Sequence, residues 1–193
     1  FDEEPSDSHR RRMGTLLETP NFYHYLSAVQ NLSISSAIKE HGAEDIDKVI
    51  EIVGLAHRKK SAFSTYSLGM KQRLAIGAAI LGKPEVLIFD EPTNGLDPVG
   101  IAEIRTLIKE LAKQGKTIIM ASHLLDEVEK VCTHVAILKQ GKLIASGHVN
   151  DIFVTDDIVQ VGADEFSQLQ DIALQAHGCT KADKVDGMID LHF

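Results

Sequence analysis

Three carboxylates stand out in the stretch LIFDEPTNGLD, which runs from Leu87 to Asp97. An apolar run ends in Asp90 and Glu91, and a proline and a glycine turn then lead to Asp97. An Asp at the end of a buried strand often holds Mg²⁺ in α/β proteins that handle phosphate. The Glu beside it can polarise a water for attack on phosphorus. Alternatively, the acids only stabilise the start of the following helix, which is the better interpretation of an isolated pair.

A histidine after the next apolar run favours the phosphate site over simple stabilisation of a helix start. The run KTIIMAS, residues 116–122, ends directly before His123. The carboxyl ends of neighbouring parallel strands lie side by side, and ligands of open α/β sheets bind there. We therefore expect His123 to lie near Glu91 and to meet a terminal phosphate. Asp97 precedes Pro98, so it can cap the next helix and also face a partner.

The elements that must position these residues alternate between strands and helices, which predicts an α/β fold with a parallel sheet and right-handed crossovers. Apolar spacing predicts helices within 26–55, from the N-cap Ser67 to about Gly82, over 98–113 and over 124–131. Strands are predicted at 13–17, 85–89 and 116–122, and a hairpin turns at Gln140-Gly141. After Gly147 the pattern predicts a small α+β appendage with a helix near 166–177.

Composition and charge exclude several classes of protein. The chain has 193 residues, 44% hydrophobic and 25% charged, which is typical of a globular protein. Its formal net charge is −8, and its one short basic run is His9–Arg12, so nucleic acid is an unfavourable partner. Cys132 and Cys179 fit no metal-ligand spacing and are interpreted as reduced thiols. The acidic start does not resemble a signal peptide, and no apolar run approaches the roughly 20 residues of a membrane span.

The motifs YSLGMKQRLAIGAAIL, VLIFDEP, NGLD and IIMASH stand in an order and spacing that resembles the ATP-binding-cassette (ABC) ATPases. The resemblance covers most of residues 13–147. It implies a partial P-loop NTPase core with a parallel sheet, a helical signature subdomain and a small α+β C-terminal appendage. The family roles fall on Ser67 and Gly69 (signature), Asp90 (Walker B aspartate, around Mg²⁺), Glu91 (catalytic glutamate), Asp97 (D-loop) and His123 (switch histidine).

Departures from the family consensus point to one branch of it. Tyr66, Leu68 and Met70 replace the Leu, Gly and Gln of the consensus signature, as in exporters of the bacitracin- and lantibiotic-resistance type. In MGTLLETPNFY, Glu18 stands where most of the family has the Q-loop glutamine. The resemblance places Glu18 close to Mg²⁺, where it adds negative charge and, unless protonated, cannot donate a hydrogen bond.

The phosphate-binding loop of such enzymes, Gly-x-x-x-x-Gly-Lys-Ser/Thr, has one near match, GAAILGKP, from Gly77 to Pro84. We reject it because it lies within a predicted helix, whose N–H groups are already bonded, and because Pro84 replaces the hydroxyl. We therefore expect the loop to come from outside these residues, and the chain alone to be inactive as an ATPase.

On this basis we divide the chain into a part of the core sheet with the Q-loop region (1–25), a helical subdomain (26–82), a core segment (83–147) and a C-terminal extension (148–193). The resemblance implies an ATP-hydrolysing subunit that uses ATP and Mg²⁺ to export a peptide antibiotic or small amphiphile. Its implied partners are a separate transmembrane permease and a second cassette, at the cytoplasmic face of the cell membrane. The alternative is a non-catalytic cassette that contributes its signature surface to a partner's ATP site. A soluble ABC protein of translation or DNA repair fits the acidic balance less well.

Overall fold

The structure is a computed structural model that describes residues 12–153, 158–161, 181–185 and 188–192, together with Ser6, His9 and Ile172. These residues fall into two compact units, one ending at Val131 and the other beginning at Cys132. No helix within the described ranges is long and apolar enough to cross a bilayer.

The first unit is built on a parallel sheet in the order β1-β2-β3. Its strands are β1 (Met13–Leu16), β2 (Val86–Asp90) and β3 (Thr117–Ala121). Its helices are α1 (Ala28–Lys39), α2 (Ile46–Ile52), α3 (Leu68–Ile80), α4 (Pro98–Lys113) and α5 (Leu125–Val131). Short 3-10 turns lie at Ala43–Asp45, Ala56–Arg58 and Phe63–Thr65. The predicted α/β class with a parallel sheet is confirmed.

The helices begin where side chains satisfy their first N–H groups. Ser27 caps α1 in a capping box with Gln30, and Ser67 accepts a hydrogen bond from the Met70 N–H at the start of α3. The helix α4 shows the predicted apolar stripe at spacings of three and four, and it buries Ile104, Leu107, Ile108 and Leu111. The core of this unit lies between these helices and β2, where Leu87 and Phe89 are fully buried.

Three details differ from the sequence predictions. The helical region predicted over 26–55 is interrupted, because Gly42 adopts a left-handed φ of 87° and a 3-10 turn follows. The strand predicted as buried, β3, has exposed residues at alternate positions, and Ile119 is 57% exposed. In α5, Val128 is buried as expected, but Leu125 is exposed.

The second unit begins with the predicted hairpin, formed by β4 (His134–Lys139) and β5 (Lys142–His148) around Gln140-Gly141. Both turn residues have positive φ, 51° and 74°. A short helix, α6 (Val149–Ile152), follows. An antiparallel sheet in the order β6-β8-β7 is formed by β6 (Ile158–Val161), β7 (Lys181–Val185) and β8 (Met188–His192). The helix predicted near 166–177 lies outside the described residues apart from Ile172.

Candidate functional site

The carboxyl edge of the parallel sheet collects the predicted acidic and histidine residues. The strand ends are level, because Leu16 is in register with Phe89 and Asp90 with Ala121. Glu18 follows β1, Asp90 ends β2, and His123 follows β3. This edge is where open α/β sheets bind their ligands.

At this edge Glu91 and His123 are in direct contact. His123 Nδ1 lies 2.9 Å from Glu91 Oε1, with the Glu91 side chain 20% exposed and that of His123 62% exposed. The other carboxylate oxygen, Glu91 Oε2, is buried and has no hydrogen-bond partner in the structure. One oxygen is thus oriented by the imidazole, while the second is a buried acceptor without a donor, which is rare in folded proteins and points to a functional role.

The backbone at Glu91 is also unusual. Its φ is +46°, a left-handed conformation that costs a non-glycine residue about 1 kcal/mol or more. The Glu91 N–H still donates to Ala121 O at 3.0 Å, which continues the β2–β3 ladder by one bond. The chain therefore turns sharply straight after the last ladder bond, and this turn directs the Glu91 side chain toward His123.

Asn94 connects this turn to Glu18. Its Nδ2 donates to Glu18 Oε1 at 2.8 Å, and its backbone N–H donates to Glu91 O at 3.1 Å. No role for Asn94 is predictable from the sequence, because asparagine is common in turns and its type alone does not reveal a long-range partner. The structure thus links the residue after β1 with the turn after β2.

The oxygen donors at this edge fit a magnesium ion. Asp90 and Glu18 are exposed carboxylates, and Mg²⁺ is usually held by one or two carboxylates together with substrate phosphates and water. Among the described residues no group of three or more His, Cys, Asp or Glu side chains forms a metal site by itself.

Two further predicted site residues act as helix caps. Asp97 Oδ1 accepts a hydrogen bond from Gly100 N–H at 2.9 Å, and Pro98 occupies the first turn of α4. Ser67 Oγ accepts from Met70 N–H at 3.2 Å. The capping part of the prediction for Asp97 is thus seen directly, whereas no contact in the described part of the chain joins either cap to Glu91 or His123.

The start of α3 presents an open surface. A Cβ placed on Gly69 would meet only the Leu96 side chain, at 4.0 Å, so its backbone can be approached closely. The first N–H groups of a helix carry a partial positive charge and favour anions. The near match GAAILGKP lies at the opposite end of this helix, with Gly77–Ile80 inside α3 and Lys83 paired with Asp45 at 2.9 Å. Its rejection as a phosphate loop is therefore supported by the fold.

The parallel sheet with helices packed on it is an α/β fold of the P-loop NTPase class. Within that class, the chain belongs to the ABC transporter family of ATP-binding proteins. The family model described as "ABC transporter" matches residues 1–94. The chain is 52% identical over 136 residues to the bacitracin transport ATP-binding protein BcrA of Bacillus licheniformis, covering 69% of this chain and 44% of that protein.

Other relatives also belong to ABC transporters or carry transport names. The chain is 39% identical over 134 residues to the lantibiotic transport ATP-binding protein SrtF of Streptococcus pyogenes, covering 69% of this chain and 58% of that protein. It is similar to the structure of CbiO1 from Clostridium perfringens, part of the ABC transporter complex CbiONQ, with a TM-score of 0.67 and 33% identity. That similarity covers 75% of this chain and 60% of CbiO1. The chain thus spans about half the length of the curated relatives it matches.

Proposed function

We propose that the chain is part of the ATP-hydrolysing subunit of an exporter that removes a peptide antibiotic or a small amphiphile. The contact between Glu91 and His123 carries this proposal, because it places a carboxylate and an imidazole side by side at the ligand edge of the sheet. The names of the bacitracin and lantibiotic relatives support the class of cargo. We also propose a transmembrane permease as a partner, with the chain at the cytoplasmic face of the membrane.

In this proposal each residue of the edge has a role. Glu91 orients or deprotonates the attacking water through its carboxylate, and His123 contacts the terminal phosphate. Asp90 and Glu18 hold Mg²⁺, which supplies charge neutralisation of the phosphate oxygens when it is bound. Asn94 keeps Glu18 within reach of this edge through its 2.8 Å hydrogen bond.

The phosphate-binding loop is proposed to come from outside the described residues. The free edge of β3 supports this, because β3 is the last strand in the order β1-β2-β3 and no described strand pairs with it on that side. An additional strand can add to this edge through its main-chain hydrogen bonds. For the same reason we expect the chain alone to turn over ATP negligibly.

Ser67 and Gly69 are proposed to act on a nucleotide held by a second cassette, as the resemblance implies. The open backbone at Gly69 and the capped start of α3 support this role. The same observation favours the alternative function, a non-catalytic cassette that contributes only this surface to its partner.

ATP turnover measured in two settings tests these proposals. In a protein that joins these residues to a phosphate loop, we expect Glu91→Gln to lower kcat by about 10²-fold or more, since general bases contribute roughly 10²–10⁴-fold. An unchanged kcat would exclude the catalytic proposal.

When the chain is mixed with an intact related cassette, Ser67→Arg should lower turnover by that cassette. If only this second effect is seen, the non-catalytic alternative is correct. Turnover by the chain alone that Glu91→Gln abolishes would show that no outside loop is needed.

A further inference from the structure

The C-terminal end of α3 lacks the capping that its N-terminus has. The helix ends at Ile80, Leu81 is extended, and the last turn contains no basic residue of its own. The last carbonyls of a helix have no intrahelical donors and carry a partial negative charge. Ile80 O accepts a hydrogen bond from the Lys83 N–H at 3.1 Å, and the other carbonyls are open to a donor from elsewhere in the chain.

Lys39, the last residue of α1, supplies that donor. Its Nζ donates to Ala78 O at 2.7 Å, to Ala79 O at 3.2 Å and to Leu81 O at 3.3 Å. Burial lowers the pKa of Lys39 to about 8, so it remains mostly protonated at neutral pH. An ammonium group has three N–H donors, which match the three carbonyls.

The end of α3 also rests tightly on the strand that leads to Glu18. A Cβ on Gly14 of β1 would lie 2.1 Å from Ala79 O, and a Cβ on Gly82 would lie 2.2 Å from the His41 ring. The Lys39 ammonium thus joins α1 to a junction at which α3 and β1 meet. The C-terminal end of α3 is therefore in contact with both α1 and β1.

A small change in the direction of α3 has a large effect at the other end of the helix. The 13 residues of α3 span about 20 Å at 1.5 Å per residue, so a tilt of about 3° moves Ser67 by about 1 Å. Because Ser67 and Gly69 are proposed to contact the partner's bound nucleotide, a shift of this size would lengthen those contacts and weaken nucleotide binding.

We propose that Lys39 is a positioning residue that fixes the axis of α3 and thereby the placement of Ser67 and Gly69 toward a partner's nucleotide. This inference rests on the proposed function of those two residues. It assigns to Lys39 a role that its type and its place outside the family motifs do not reveal.

The test mixes the chain with an intact related cassette and measures how turnover depends on ATP concentration. Lys39→Met removes the ammonium and keeps the length of the side chain, and Lys48→Met, at an exposed lysine of α2, is the matched control. We expect Lys39→Met to raise KM for ATP at the shared site several-fold, with no change for Lys48→Met. A purely structural role would reduce only the folded fraction, so kcat would fall while KM stayed constant, and that result would overturn the inference.

A second measurement needs only the chain itself. Amide chemical shifts of Leu68, Gly69 and Met70 should change in Lys39→Met but not in Lys48→Met, and unchanged shifts would contradict the inference. If Lys39→Met does not fold, Lys39→Gln retains two N–H donors without the charge and serves in its place. A wild-type chain with no effect on the intact cassette would count against the proposed function of Ser67 and Gly69, while the chemical shifts would still decide the role of Lys39.

Discussion

Glu91 combines a strained backbone with a side chain whose polar atoms are only partly satisfied. Its φ of +46° is unfavourable for a residue with a Cβ, and its Oε2 atom is buried without a partner. Strain of this kind costs about 1–3 kcal/mol and persists where the surroundings hold the residue in place. Here the ladder bond to Ala121 O and the contact with His123 hold it. Both features fit the proposed role of Glu91, because strained residues cluster at functional sites.

Comparing Glu91→Gly with Glu91→Ala isolates the backbone strain. Both changes remove the carboxylate, but only glycine adopts a φ of +46° without strain. We expect the free energy of unfolding of Glu91→Gly to exceed that of Glu91→Ala by about 1 kcal/mol in urea denaturation. An alanine variant as stable as the glycine variant would show that the turn at position 91 is relaxed.

The contact between Glu91 and His123 was predictable, whereas the role of Asn94 was not. Two apolar runs that each end in a polar residue place those residues at the same sheet edge, so strand topology alone brought Glu91 and His123 together. The hydrogen bond from Asn94 to Glu18 joins residues 76 positions apart. It depends on how a turn folds over the end of β1, and turn asparagines have many local uses that hide such a partner.

At the scale of elements, α3 is held at both ends by different means. Its N-terminus is capped locally by Ser67, while its C-terminus depends on Lys39 and on the glycine of β1 that it touches. The local cap was visible in the sequence, because Ser before an apolar helix is a recognised signal. The distant cap was not, because no local pattern specifies which lysine reaches a helix end 40 residues away in the chain.

Gly14→Ala tests the close approach of α3 to β1. The new Cβ would lie 2.1 Å from the backbone oxygen of Ala79, so the helix or the strand must shift. We expect the free energy of unfolding to fall by about 2–3 kcal/mol, which is typical of overpacking. Gly69→Ala is the control, because its Cβ has space and alanine favours a helix, so stability should be unchanged or higher by up to about 1 kcal/mol. Equal losses in both variants would rule out a specific contact at Gly14.

Strand burial was the least predictable property of the elements. The apolar run KTIIMAS predicts a strand that is buried on both faces of the sheet. Its neighbour β2 does bury Leu87 and Phe89 completely. In β3 the same kind of sequence leaves Ile119 exposed, because burial depends on which other segments cover the strand. The helix α4, in contrast, matches its predicted bounds, because its Asp97 cap and its apolar spacing are both local.

At the scale of the whole molecule, the free side of β3 is the feature that connects the fold to the proposed function. The unpaired main-chain groups of this edge favour association with another strand. The exposed Ile119 lies on one face of the same strand, which a further segment can cover. This surface lies next to His123, which follows β3 directly. A strand added there would place its own carboxyl end beside the Glu91 and His123 pair.

Ile119→Thr distinguishes an open strand from a covered one. In this chain Ile119 is 57% exposed, so the substitution should change the free energy of unfolding by less than about 0.5 kcal/mol and should reduce aggregation on heating. Leu87→Ala, at a fully buried position of β2, should cost about 2–5 kcal/mol and serves as the reference. In a protein that also contains the proposed phosphate-loop strand and the helix that follows it, we expect that helix to cover the face with Ile119, and Ile119→Thr should then cost about 1–2 kcal/mol. Urea denaturation of both proteins measures the difference, and an equal, small cost in the two would show that no segment packs against β3 at this position.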